Sequence, residues 1–148
     1  MDEPLGRRAE RVFWERHANP KSGWSRTVTL PVIVFAVHTR RWRLLAAAVV
    51  FTVLNPILFS KPDDAEAWMT KVVLAERHWR ESGDDLGPLQ ALNVANVPVT
   101  LYALYAAYRR DTGGATVATA LSMTLKFAFV AALVRRYEDE IDASDLER

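Results

Sequence analysis

The chain has no cysteine. That excludes disulfides, thiolate metal sites, iron–sulfur clusters and cysteine nucleophiles together. Histidine is also scarce: His17, His38 and His78 are the whole supply. Membrane di-iron oxygenases and desaturases need many more ligands, so that chemistry is excluded by count. Glu76-Arg77-His78 lacks the second histidine of a zincin helix. No metal site and no cofactor are predicted. Neither a glycine-rich phosphate loop nor a G-x-S-x-G nucleophile elbow occurs. An excess of either charge is missing as well. Nineteen Lys/Arg against eighteen Asp/Glu leave +1, so nucleic acid is not an expected partner. Residues 1–26 contain no apolar h-region, and a cleaved signal peptide is not expected.

What is present is charge gathered in blocks, separated by stretches that carry almost none. The 148 residues read as a single membrane domain. Residues 1–23 form an N-terminal segment. Asp2-Glu3-Pro4 reads as a helix start, and Leu5, Ala9, Val12 and Phe13 then recur at helical spacing opposite Arg7, Arg8, Arg11 and Glu15. The spacing predicts an amphipathic helix over about 3–17 lying at a membrane interface. Residues 24–59 form a hydrophobic hairpin, broken at Thr39-Arg40-Arg41-Trp42-Arg43. Its two apolar runs reach about 22–24 Å as helix, short of a hydrocarbon core of ~30 Å. Two short spans are predicted, with a re-entrant hairpin as the alternative.

Residues 61–85 are polar, but Trp68, Val72, Ala75 and Trp79 share one helical face. An interfacial helix over 64–80 follows. Residues 86–134 form a second, longer hairpin, turning at Arg109-Arg110-Asp111-Thr112, and 135–148 are a frayed acidic tail. The predicted fold is all-α: an integral membrane four-helix bundle of two hairpins with two interfacial amphipathic helices. The implied location is the cell membrane, multi-pass, with the lipid bilayer as partner. The total count of Lys/Arg places the N-terminus in the cytoplasm, although basic density in the two short turns points the other way.

Lys126 stands inside the apolar stretch Gly113–Val134. A charge at that depth costs several kcal/mol and needs a partner or a task. It follows Ala118 and Ser122 at i, i+4, i+8, and small residues mark close helix approach. Snorkelling back along the helix is out of reach, and the C-terminal interface lies about 13 Å the wrong way. Asn93, Asn96 and Thr100 stripe the third helix. Pro98 and Asn55-Pro56 open hydrogen-bond ladders in the third and second. The expected arrangement is a buried Lys126 bonded to Asn96, Asn55 or a freed carbonyl. Lys126, Asn96, Asn93, Asn55 and Ser122 are thus the candidate ligand site, with structural glue between helices as the competing role.

A second constellation is Trp14-x-x-His17-x-Asn19-Pro20-x-Ser22-x-Trp24-x-Arg26. His17 and Arg26 could hold an anionic lipid headgroup. The competing role is a capped turn, with Asn19 closing one element and Ser22 capping the next. This run resembles an uncharacterised family of small, mostly archaeal, multi-pass membrane proteins, a domain of unknown function. Asn55-Pro56-Ile57-Leu58-Phe59, Trp68-Met69, Glu76-Arg77, Asn93-Val94-Ala95-Asn96-Val97-Pro98 and Met123-x-x-Lys126-Phe127 share the resemblance, which covers about 11–137. It implies a helical membrane protein and supplies no activity. The leading function is a non-enzymatic membrane protein that binds a small or lipidic ligand, or acts as a subunit, through the polar cluster. The alternatives are an interfacial enzyme acting on a lipid headgroup, using His17, Glu76 and His78 with Arg26 and Arg77 as anion clamps beside Trp14, Asn19 and Ser22 of the interfacial motif, and an assembly protein with no pocket. A homo-oligomer or a membrane-protein partner fits either binding reading.

Overall fold

The computed structural model describes residues 5–146. Among the described residues the chain is all-α: α1 Leu5–His17, α2 Pro20–Thr27, α3 Thr29–His38, α4 Trp42–Leu58, α5 Trp68–Ser82, α6 Pro88–Tyr108 and α7 Thr112–Leu146. The expected helix start at Asp2–Pro4 lies outside them. Each boundary has a local cause. Asn19 caps α2 by accepting from the Lys21 backbone N–H at 2.9 Å, and Pro20 follows in the first helical position. Ser22 is not a cap, as the capped-turn reading had it; it lies inside α2 and is fully buried. Pro31 has no N–H for the Thr27 carbonyl. The first apolar run therefore divides at Val28 into α2 and a ten-residue α3. Gly83, at φ +70°, closes α5 from the left-handed region.

Two helical hairpins are present, α3–α4 and α6–α7, and they turn in the same way. Arg40 and Arg110 both adopt left-handed backbone, at φ 59° and 60°. Arg41 N–H bonds the Ala36 carbonyl, and Asp111 N–H bonds that of Ala106, each at 2.9 Å. The two tips meet. The Arg40 guanidinium donates to the Tyr108 carbonyl at 2.7 Å and lies 4.3 Å from the centre of the Tyr108 ring.

The four apolar helices do not form an even bundle. α6 and α7 make the most extensive contact, α3 packs on both, and α4 packs on α3, α1 and α2. Ala103, Ala106, Ala107, Ala115 and Ala118 are buried in the α6–α7 seam, where small side chains let the backbones approach. A second cluster joins Val72 and Ala75 of α5 to Phe129, Val130, Leu133 and Val134 of α7. Among the described helices, α7 alone is both long and apolar enough to cross a membrane; α4 is apolar but has 17 residues.

α7 does not stop at Arg135. It runs on to Leu146 in place of the expected frayed tail. Its acids are held by α5: Lys71 to Glu138 at 2.7 Å and His78 to Glu140 at 3.0 Å. Arg136 adds an i,i+4 pair to Glu140 at 3.0 Å. α5 packs across α7. Trp68 stacks on Phe127 while Trp79, eleven residues on, stands edge-on to Phe129. Much apolar surface is left open, on Val53 of α4, Leu101 of α6 and Val117 of α7 among others. The accessible surface is 9786 Å², against about 7,600 Å² for a compact soluble monomer of this mass.

The paired turns give opposite expectations for one substitution. Left-handed backbone disfavours side-chained residues by ~1 kcal/mol. Arg110→Gly should therefore raise the thermal midpoint in detergent slightly. Arg40→Gly gains the same relief but loses the Tyr108 carbonyl bond and the ring contact, and should lower the midpoint. Equal shifts in both variants would contradict this account of the tips.

Candidate functional site

A cavity of about 390 Å³ opens between α2–α3, α5, α6 and α7. Its apolar wall is Leu30, Met69, Val72, Met123, Phe127 and Val130; its polar lining is Arg26, Thr27, Glu76, Asn96, Thr100, Ser122 and Lys126. Gly23 lines it where α2 crosses α5. A Cβ there would lie 2.8 Å from Met69 Sδ and 3.0 Å from Met69 Cβ, so any larger residue would push Met69 out of its place in the lining.

Lys126 is not buried as expected. Its side chain is half exposed, and its partner is the Glu76 carboxylate of α5, at 3.5 Å. Two geometric reasons account for the difference. Eight residues advance a helix by two turns and about 80°, which swings Lys126 off the Ala118 and Ser122 face. α5 then crosses α7 at that level and brings an acid to it. Ser122, fully buried, donates to Asn96 Oδ1 at 2.7 Å. Thr100 lies 2.7 Å from the same hydroxyl and 2.9 Å from the Asn96 carbonyl. Asn96, Ser122 and Lys126 therefore share the cavity. Asn93 lines no part of it.

Asn55 belongs elsewhere. It is fully buried in α4 and accepts from Ser22 Oγ at 2.6 Å while donating to Ser25 Oγ at 2.8 Å. Instead of approaching Lys126, it pins α2 to α4. The rest of the N-terminal motif does related work. Arg16 and Asn19 side chains donate to the Ile57 and Ser60 carbonyls at 3.1 and 2.9 Å, and thus satisfy the end of α4. Thr70 of α5 donates to the Ala18 carbonyl at 2.8 Å. The motif and α5 consequently form one wall, and Arg26 projects from it into the cavity. By sequence Arg26 and Glu76 belong to a separate interfacial set. The shared wall joins them to Lys126.

His17 supports Arg26 from behind. It is buried, stacked on Phe13 and edge-on to Trp14. Arg26 Nη1 lies 2.9 Å from His17 Nε2. A guanidinium can only donate, so Nε2 accepts and the ring proton sits on Nδ1, which finds no acceptor among the described residues. Burial, with the nearby Arg26 and Arg80 charges, lowers the His17 pKa to about 4. The imidazole is neutral and holds the guanidinium in place. The expected enzymatic set converges only in part: Arg26 and Glu76 share the cavity with His17 behind Arg26, and the others stand apart. His78 pairs with Glu140 beside Tyr137, Arg77 pairs with Glu81, and Trp14 lines a different depression near Lys61. No group of three metal-ligating side chains occurs among the described residues.

A family model of unknown function matches residues 5–110. The chain belongs to that family, DUF6653. No curated protein and no solved structure matches. The DUF6653 match takes in α1 to α6, hence His17, Arg26, Asn55, Glu76, Asn96 and Thr100; Ser122 and Lys126 on α7 lie beyond it.

The neutral His17 makes a pH prediction. Its folded pKa is depressed, so as pH falls below about 6.5 the unfolded chain takes up the proton first. The stability contribution is intact above that pH and is lost as pH falls towards about 4. The loss is at most about 3 kcal/mol. Thermal midpoints in detergent should fall over this window, and His17→Gln, which keeps an acceptor without titrating, should flatten the dependence. An unchanged slope in His17→Gln would assign the pH effect to other groups.

Proposed function

We propose that this DUF6653 protein is a multi-pass membrane protein that binds a small amphiphilic ligand, lipid-like in chemistry, without acting on it. In this reading α6 and α7 cross the bilayer and the shorter α3–α4 hairpin inserts beside them. The tips at 39–41 and 109–111 lie on one side. α1, α2 and α5 lie at the opposite interface, cytoplasmic by the Lys/Arg count. The exposed apolar faces of α4, α6 and α7 support this placement, as does the surface in excess of a compact monomer's.

One observation carries the ligand reading. A single cavity sets six apolar side chains against two cations, an acid and a hydroxyl–amide cluster. Apolar wall with a few convergent polar groups is the usual composition of a ligand site. The α5 crossing also puts Lys126 at the level of the transverse helices, which is headgroup depth in this topology.

Carbonate washing of membranes should leave the protein in the pellet; quantitative release would end the membrane reading. Native mass spectrometry of the detergent-purified chain should show a co-purifying lipid-sized mass. Met123→Trp fills the cavity and should reduce that occupancy by about tenfold, equivalent to ~1.4 kcal/mol. Val53→Trp, on the open face of α4, should leave it unchanged. Equal retention in both variants would remove the cavity from the reading.

A further inference from the structure

The cavity's donors and charges identify the kind of headgroup it takes, an inference that rests on the amphiphile reading above. Arg26 uses Nη1 on His17 and Nε, at 3.4 Å, on the Ser22 carbonyl. Nη2 has no acceptor among the described residues. Asn96 spends its Oδ1 on Ser122, and its Nδ2 likewise has none. Lys126 carries three N–H donors; one makes the 3.5 Å approach to Glu76, and the ammonium also lies 5.3 Å from the centre of the Phe129 ring, which takes no conventional hydrogen bond. The Glu76 contact is at the weak limit of a hydrogen bond.

Glu76 is the one acid in the lining, against Arg26 and Lys126. The cavity therefore keeps an excess of one positive charge, between apolar walls that screen it poorly. Glu76 interacts electrostatically with Arg26 as well as with Lys126. It acts as a resident counter-ion for both, joined to neither by a short bond. An incoming group with more oxygens and at least one full negative charge satisfies these donors better than one carboxylate does. Inorganic phosphate would do so too, but it leaves the wall of Leu30, Met69, Val72, Met123, Phe127 and Val130 uncovered.

We propose that the cavity selects a phosphate-bearing amphiphile. Its phosphate is held by Arg26, Lys126 and Asn96 in place of the Glu76 carboxylate, and its apolar tail lies along the α5 and α7 wall. Glu76 tunes the selection: it neutralises the site when empty and must be displaced by a stronger anion.

The test is titration of the detergent-solubilised full chain, read by the fluorescence of Trp24 and Trp68, whose rings stand 6.1 Å apart beside the cavity. The probes are dioleoylphosphatidic acid, dioleoylglycerol with the same chains, and inorganic phosphate. Phosphatidic acid should bind at least about tenfold more tightly than the glycerol lipid, and added salt should narrow the gap. Lys126→Met should abolish most of the preference. Glu76→Gln should tighten phosphatidic acid several-fold and leave the glycerol lipid unchanged, and it keeps the test open should Lys126→Met fold poorly. Arg43→Met, an exposed cation in the first turn of α4, should alter neither. Equal binding of the two lipids would overturn phosphate selection and leave the amphiphile reading standing. Binding of neither would overturn both. Inorganic phosphate competing mole for mole with phosphatidic acid would keep the phosphate contacts and overturn the role of the tail.

Discussion

A buried amide must have both its ends hydrogen-bonded, and much of this structure follows from how Asn55 meets that demand. An unsatisfied polar group in such a place costs ~1–3 kcal/mol. Asn55 has no exposed surface, and its two partners, Ser22 and Ser25, lie on one face of α2. The pair of bonds fixes α2 in rotation as well as in position. Arg26, one residue beyond Ser25, is thereby turned away from α4 and towards α5 and α7. The N-terminal segment thus becomes part of the wall of the cavity. Arg16 and Asn19 add to the hold by occupying the Ile57 carbonyl in the last turn of α4 and the Ser60 carbonyl just beyond it.

The charges of the cavity obey a second constraint. A cation among apolar side chains needs an acceptor or a route to water. Lys126 has both, since it reaches the open mouth and the Glu76 carboxylate. Arg26 is held by a neutral imidazole and a backbone carbonyl. One acid thus stands between two cations that have donors to spare. Farther along α7 the logic changes: Glu138 and Glu140 meet Lys71 and His78 in direct contacts of 3.0 Å or less. The tail pairs hold α5 in place, and the cavity pair is loose enough to exchange.

Some of this was legible in the sequence. The two apolar hairpins, the amphipathic α5 and the glycine that ends it follow from periodicity and turn chemistry, which act over a few residues. So does the unusual standing of Lys126, since charge in an apolar stretch is visible without a fold. Asn96 and Ser122, marked by their polar spacing, do lie in the cavity with it. Other assignments needed the third dimension. Asn55 and Asn96 look alike in sequence, each an asparagine near a proline in an apolar helix, yet α4 packs on α1, α2 and α3 while α6 packs on α7. Their partners differ because their neighbouring helices differ, and the hydrophobic pattern of α4 does not say which helix it meets.

The sequence by itself determined an all-α chain, its division into apolar and charged blocks, and the residue types able to bind an anion. Those properties depend on composition and on spacing along one helix. Only the tertiary structure decided that Arg26, Glu76 and Lys126, up to 100 residues apart in number, line one cavity. That depends on the angle at which α5 crosses α7 and on the rotation of α2 about its axis. The angle follows from the combined packing of Trp68 and Trp79 on the phenylalanines of α7. The rotation follows from a buried amide more than thirty positions away from the serine it bonds. Neither quantity has a local signature, because each is fixed by contacts that exist only once the helices are assembled.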